Sequence, residues 1–216
     1  MQIINLNIQK IGHDTFKIKS KDLVIYTDPF KLENKTDLEK ADLILISHEH
    51  KDHCDPASVE AISKEDTKII ASGLAVEKLG KGKVLEPEQE IEIKGVKIKG
   101  VPAYNTKRFR SPGIPFHPKE AKMLGFVFAV DGTKIYFAGD TDLIPEMEKL
   151  SDEKIDIAML PISDVYVMNE EEAAKAIEAI KPKIVIPMHY GTLEQVSGDP
   201  ERFKRMIGDL AEVKIL

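Results

Sequence analysis

The run His48-Glu49-His50-Lys51-Asp52-His53 puts three imidazoles and a carboxylate within six residues. Imidazole and carboxylate are the usual protein ligands of zinc and its first-row neighbours. A lone histidine is more often a satisfied core or surface group. Three of them with an aspartate at this density can reach two ions at once. A divalent ion held there would lower the pKa of a water molecule from about 15.7 towards about 7, giving a nucleophile at neutral pH.

Such ligands need a stiff mount. Upstream, Ala41-Asp42-Leu43-Ile44-Leu45-Ile46-Ser47 is an apolar stretch of strand length. Downstream, Asp55-Pro56 has the form of a helix N-cap and first helical residue. The run is therefore expected on a tight strand-to-helix loop. Other acids and imidazoles also follow apolar stretches: Asp140 after Lys134 to Gly139, and His189 after Lys183 to Met188. His13 follows the apolar start and precedes a strand with Phe16 and Ile18 on one face. Singly, Asp140 could be an N-cap, His13 a surface residue and His189 a core histidine. Together they offer donors from separate strand ends to one site.

The remaining elements follow from period and turn chemistry. Leu23 to Tyr26 reads as a short strand, and Ile91 to Ile98 as a hairpin about Lys94-Gly95. Leu124 to Val130 and Thr133 to Ala138, joined by Asp131-Gly132, give the strongest hairpin signal. Asn169 caps a helix over Glu170 to Ile180, with Glu172 completing a capping box. Asp199-Pro200 opens another, with Phe203, Met206, Ile207 and Leu210 at core spacing. Shorter helices are expected after Asp55 and over Ile144 to Leu150. Ala71-Ser72-Gly73 and Gly80-Lys81-Gly82 read as turns. This order of strands and helices implies sheets packed together and covered by helices, in one domain over 1–216.

His48-x-His50-x-Asp52-His53, Ala138-Gly139-Asp140-Thr141 and Pro187-Met188-His189-Tyr190 resemble the metal motifs of the metallo-β-lactamase superfamily. Thr27-Asp28-Pro29 is similar to its early aspartate motif, and Gly12-His13 to the Gly-His of its ascorbate-6-phosphate-lactonase-like branch. The resemblance implies an α/β fold, the αββα four-layer sandwich, with the site at one edge of two sheets. It implies that His48 and His50 hold a first metal, that Asp52, His53 and His189 hold a second, and that Asp140 bridges them. Asp28 would orient a ligand by hydrogen bonds. Zinc is the leading expectation, with manganese, nickel or iron as alternatives, at one or two ions per chain.

The family usually supplies a third histidine to the first metal from mid-chain. The matching stretch here is Val101-Pro102-Ala103-Tyr104-Asn105-Thr106. Three outcomes are open: His117 folds back, Tyr104 approaches the metal, or the first site is weak or absent. The last is the expectation adopted. For catalysis, Asp52 is expected to orient the nucleophile and take its proton. His13, Tyr104 or His117 would donate to the oxyanion or protonate the leaving group.

Asn105 to Lys122 has no clear period and carries Lys107, Arg108, Arg110, His117, Lys119 and Lys122 against one acid, Glu120. Long loops in compact domains are either solvated and mobile or functional. The functional reading is a cationic lid in which Asn105, Lys107, Arg108 and Lys119 bind a substrate phosphate or carboxylate.

The formal net charge of -6 argues against general affinity for nucleic acid or anionic membrane. No apolar run approaches spanning length, and no signal peptide is evident at the start. The single cysteine, Cys54, excludes an internal disulfide and fits a reducing, cytoplasmic compartment. There is no Gly-x-Ser-x-Gly elbow and no phosphate-binding glycine loop. These features point to a metal-dependent hydrolase of a small anionic ester, lactone or phosphodiester. The rivals are a nuclease of the same superfamily and a metal-binding protein without catalysis. Homo-oligomers are left open.

Overall fold

A computed structural model describes residues 1–216. The first sheet runs in chain order: β1 (Gln2–Ile3), β2 (Leu6–Gly12), β3 (Thr15–Lys19), β4 (Val24–Thr27), β5 (Leu43–Ile46), β6 (Lys68–Ala71) and β7 (Lys83–Val84). Pairing is antiparallel from β1 to β4 and parallel from β4 to β7. The parallel half is linked by α1 (Pro56–Ile62) and α2 (Gly73–Leu79).

The chain then forms β8 (Glu90–Ile93) and β9 (Val96–Pro102), a separate small hairpin of β10 (Phe109–Ser111) and β11 (Ile114–Pro115), and β12 (Leu124–Val130), β13 (Thr133–Phe137), β14 (Ile157–Pro161), β15 (Ile184–Met188) and β16 (Glu212–Val213). The second sheet has the order β16-β15-β14-β13-β12-β9-β8. α3 (Glu170–Ile180) and α4 (Pro200–Ile207) connect its parallel strands, and a 3-10 segment spans Pro145–Glu153.

The two sheets bury one shared core. Phe16, Ile18, Ile25, Leu43 and Leu45 of the first meet Phe126, Phe128, Phe137, Met159 and Ile186 of the second in a cluster of 44 buried residues. Phe16 and Phe137 touch edge to face, centroids 6.5 Å apart. A cluster of 11 buried residues forms on the outer face of the first sheet, where Ile44 and Ile46 pack with Val59, Ile62 and Ala75 of the helices. Ala173, Ala176, Ile177 and Ile180 of α3 join the larger cluster. The fold is thus an αββα sandwich.

Local chemistry explains the elements. Lys94 and Gly95 both have positive φ, as do Asp131 and Gly132, and these pairs close the β8–β9 and β12–β13 hairpins. Asn169 and Glu172 form the reciprocal capping box of α3. Asp55 stands at the N-cap of α1 without capping it by its side chain; its carboxylate accepts the Ser58 hydroxyl instead.

Three local expectations are corrected. Gly73 opens α2 rather than ending a turn, because Ser72 takes the N-cap position. α4 ends at Gly208, so Leu210 lies beyond it, and both Met206 and Leu210 are exposed. Ile144 to Leu150 is 3-10 rather than α-helical. The two sheets also share an arrangement. β4 lies between antiparallel β3 and parallel β5, and β13 lies between antiparallel β12 and parallel β14. Asp28 follows the first of these central strands and Asp140 the second.

Candidate metal centre

The loop after β5 is wound tightly: the backbone N–H groups of His53 and Cys54 both donate to His50 O, at 3.1 and 2.8 Å. Asp28 clamps it from below. Its carboxylate accepts Ser47 N at 2.7 Å, Ser47 Oγ at 2.5 Å and faces His53 Nδ1 at 2.8 Å. Asp140 reaches the same point through Gly139, at φ 64°. A Cβ on Gly139 would lie 2.6 Å from Leu124 O, so a glycine is needed for this close approach. His189 leaves β15 with φ 56°, a left-handed turn that a histidine adopts only when its surroundings hold it there.

All six histidines of the chain converge here. The donor atoms of His48, His50 and His117 lie within 4.8 Å of one another, as do those of His13, Asp52, His53 and His189. Asp140 sits between the two groups. Its Oδ2 is 3.9 Å from His48 Nε2, 3.2 Å from His117 Nε2 and 3.3 Å from His189 Nε2; its Oδ1 is 3.4 Å from His53 Nε2.

The outer hydrogen bonds set the tautomers. Ser47 Oγ gives its proton to Asp28, so at 2.8 Å it can only accept from Nδ1 of His48. His53 Nδ1 donates to Asp28. Asn105 Nδ2 donates to Tyr166 O, which fixes Asn105 Oδ1 as the acceptor facing His117 Nδ1 at 3.0 Å. In the neutral form of each ring these bonds place the proton on Nδ1 and turn Nε2 inward, as a metal-ligating imidazole requires. Ser163 Oγ lies 2.9 Å from His189 Nδ1.

Nε2 of His48, His53 and His189, both ring nitrogens of His13 and Asp140 Oδ1 are buried without a hydrogen-bond partner. Buried polar atoms are rarely left so, and this many lone pairs aimed at one point fit divalent cations. The charges are strongly perturbed. Burial pushes His48 well below the ordinary imidazole range, aided by the neighbouring imidazole of His53. Burial opposes charge on His53 too, but Asp140 and Asp28 outweigh it and hold it well above that range. Asp140 is held well below the usual carboxylate range against its burial, by His189 and His53. Burial raises Asp28, the hydrogen bond from His53 opposing it. Clusters of this kind mark functional sites.

A cavity of about 410 Å³ opens over the centre. His50, Asp52, His117 and Asp140 form its floor, Lys51 and Arg110 its charged edge, and Phe116, Tyr166 and Leu193 its apolar wall. Phe116 and Tyr166 meet edge to face, centroids 4.8 Å apart.

The expectation of a first ligand group short of a histidine is corrected, because His117 folds back beside His48 and His50. Its fold-back is not legible locally, since the residues between Tyr104 and His117 lack period and the bond that holds it comes from Asn105. Tyr104 does not approach the centre: its hydroxyl donates to Glu146 at 2.9 Å, on the 3-10 segment. Lys119 pairs with the same Glu146 at 2.8 Å. Arg108 is buried between Asp142 at 3.1 Å, Asp164 at 2.6 Å and Glu172, and Lys107 pairs with Glu172 at 2.7 Å. These cations are consumed by acids of neighbouring segments and do not line the cavity. Asn105 likewise points at His117 and Tyr166 O rather than into the cavity. Sequence reasoning missed Lys51 as a cavity cation, together with Tyr166, Leu193 and Gln195. It also missed the positioning hydroxyls of Ser47 and Ser163. Of these, only Ser47 carried a signal, its place beside His48.

Two facing mixed sheets with helices outside, and histidines and aspartates converging at the strand ends, define a metallo-β-lactamase-type metal-dependent hydrolase. Residues 7–189 match the family model described as the beta-lactamase superfamily domain, and the chain belongs to that family. It is 38% identical over 223 residues to a UPF0173 metal-dependent hydrolase of Thermococcus onnurineus, covering 98% of this chain and 96% of that one. A UPF0173 metal-dependent hydrolase of Pyrococcus horikoshii is 38% identical over 226 residues, with 98% and 96% covered. Among solved structures, Igni18, a metallo hydrolase from Ignicoccus hospitalis, superposes with a TM-score of 0.80 at 26% identity, covering 98% of this chain and 94% of that one. These names state the chemistry and specify no substrate. No helix is long and apolar enough to cross a membrane.

Proposed function

We propose that this hydrolase cleaves a small anionic ester, lactone or phosphodiester at a two-cation centre, with zinc the leading candidate metal. The observation that carries the reading is the cavity itself, whose floor is the ligand cluster and whose edge carries the two cations Lys51 and Arg110. His48, His50 and His117 would hold one ion, Asp52, His53 and His189 the other, with Asp140 between them. Bound there, the ions supply an acidified water and polarise the oxygen under attack.

The remaining work falls to the chain. Asp52 faces the cavity and is held as a carboxylate: burial opposes this, but the His13 imidazole 3.5 Å away and the charge of His53 prevail. It orients the attacking water and takes its proton. Arg110 and Lys51 bind the anionic group of the substrate, the role expected earlier of Arg108 and Lys119. Tyr166 is the one hydroxyl-bearing residue of the cavity wall and so replaces Tyr104 as proton donor to the leaving group. The apolar wall of Phe116 and Leu193 favours a compact organic substrate over a polymer.

Steady-state kinetics on matched esters with and without a carboxylate test the reading. Arg110→Ala should raise KM for the anionic ester by tenfold or more and leave the neutral one within about twofold. Equal effects on both would remove anion recognition from the proposal.

A further inference from the structure

His13 is fully buried, and neither of its ring nitrogens has a hydrogen-bond partner. A histidine that served as proton donor to substrate would have to face the cavity, and His13 is not part of its wall. It lies behind the cluster. Its Nε2 is 3.5 Å from Asp52 Oδ2, and its ring packs at 4.1 Å from that of His189 and 5.3 Å from that of His53.

The turn that carries it is clamped. Thr15 Oγ1 donates to Asp28 O at 2.6 Å and accepts Phe30 N at 3.1 Å, while Thr27 Oγ1 donates to Asp14 O at 2.9 Å. A buried imidazole held this firmly, with both nitrogens unpartnered and Asp52, His53 and His189 beside it, is placed to coordinate rather than to transfer a proton.

We propose that His13 is a fourth side-chain ligand of the second cation, joining Asp52, His53 and His189. The inference rests on the two-cation reading and makes it asymmetric. The first ion has three imidazoles and a share of Asp140. The second has three imidazoles, Asp52 and a share of Asp140, five protein donors in all. Zinc settles readily at four ligands, whereas manganese, iron and nickel accept five or six nitrogen and oxygen donors. The second site therefore accommodates a cation of that higher-coordinate class better than the first does, which keeps the more open coordination.

Cadmium-113 NMR on the wild-type chain, labelled with nitrogen-15 histidine and loaded with two equivalents of cadmium, reads the ligand count directly. Two resonances, each coupled to three imidazole nitrogens, are expected. Two resonances coupled to three and two would overturn the role of His13 while sparing the two-cation reading. Fewer than two bound cadmium ions would instead overturn the reading itself. In parallel, His13→Gln should lose at least tenfold in manganese affinity at one site only, measured by calorimetry on the protein before and after chelation. Unchanged affinity at both sites in a folded variant would also overturn the proposal. Should the variant fail to fold by circular dichroism, the wild-type cadmium spectrum decides.

Discussion

Asn105 Oδ1 accepts the backbone N–H of His117 at 2.8 Å and lies 3.0 Å from its Nδ1, so one amide oxygen fixes both the position and the tautomer of an imidazole. The neighbouring backbone is fixed in turn by Asp142, whose Oδ2 accepts the N–H groups of Thr106 and Lys107, each at 2.7 Å. The segment is a braced arm that brings His117 beside His48 and His50.

Removing the brace should cost metal affinity. Asn105→Ala releases both the position and the tautomer of His117, and outer partners of this kind are typically worth about 10- to 100-fold in affinity. Competition with a chromophoric chelator checks it, with a loss confined to one of the two ions. Undiminished binding at both would show that His117 needs no such partner.

Arg108 should matter for stability more than for substrate. It is buried among Asp142, Asp164 and Glu172, and removing one member of a buried ion pair typically costs about 3–5 kcal/mol. Arg108→Ala should lower the urea midpoint accordingly, while exposed Arg110→Ala should shift it little. A normal midpoint for the Arg108 variant would contradict the structural role.

Asp52→Ala should abolish turnover and reduce the metal retained at the second site, read by elemental analysis after dialysis. Near-normal rates would take Asp52 out of the chemistry. Tyr166→Phe tests the other end of the reaction. It should slow esters with poor leaving groups by about 10²-fold or more and leave activated nitrophenyl esters almost unaffected. A uniform loss would assign Tyr166 to binding instead.

Lys10 gives a pH signature outside the centre. Its ammonium lies 3.5 Å from the centroid of the Tyr190 ring. Burial lowers its pKa to about 8, against the attraction of Asp14, from an unfolded value of 10.5. Across that interval the unfolded chain holds more protons than the folded one, so this residue makes stability rise with pH from about 8 to 10.5. Lys10→Met should therefore stabilise at pH 7 and lose that advantage above the interval. Carbon-13 methyl-lysine NMR should find one midpoint near 8; all midpoints near the ordinary value would refute it.

Stripping the metal should lower the unfolding temperature, because orphaned imidazoles and carboxylates would remain buried together. A ligand at 100 times its Kd stabilises by about 2.7 kcal/mol per site. Calorimetric scans with chelator and then with zinc or manganese restored should show the fall and the recovery.

The ligand types and their mounts were legible from the chain alone, since His48 to His53, Asp140 and His189 each follow a strand whose apolar pattern is local. Hairpin turns at Lys94-Gly95 and Asp131-Gly132, and the capping box of Asn169 and Glu172, were legible for the same reason: their partners are at most a few residues away. The destinations of the basic residues were not. Arg108 and Lys107 meet Glu172 more than sixty residues along, and Lys119 meets Glu146 across the fold, so only tertiary packing separates a cation paired in the structure from one left at the cavity edge. The return of His117 to His48 and His50 is of the same kind. Composition and spacing fix which donors a chain possesses, whereas long-range packing decides which of them still have a lone pair or a charge to offer.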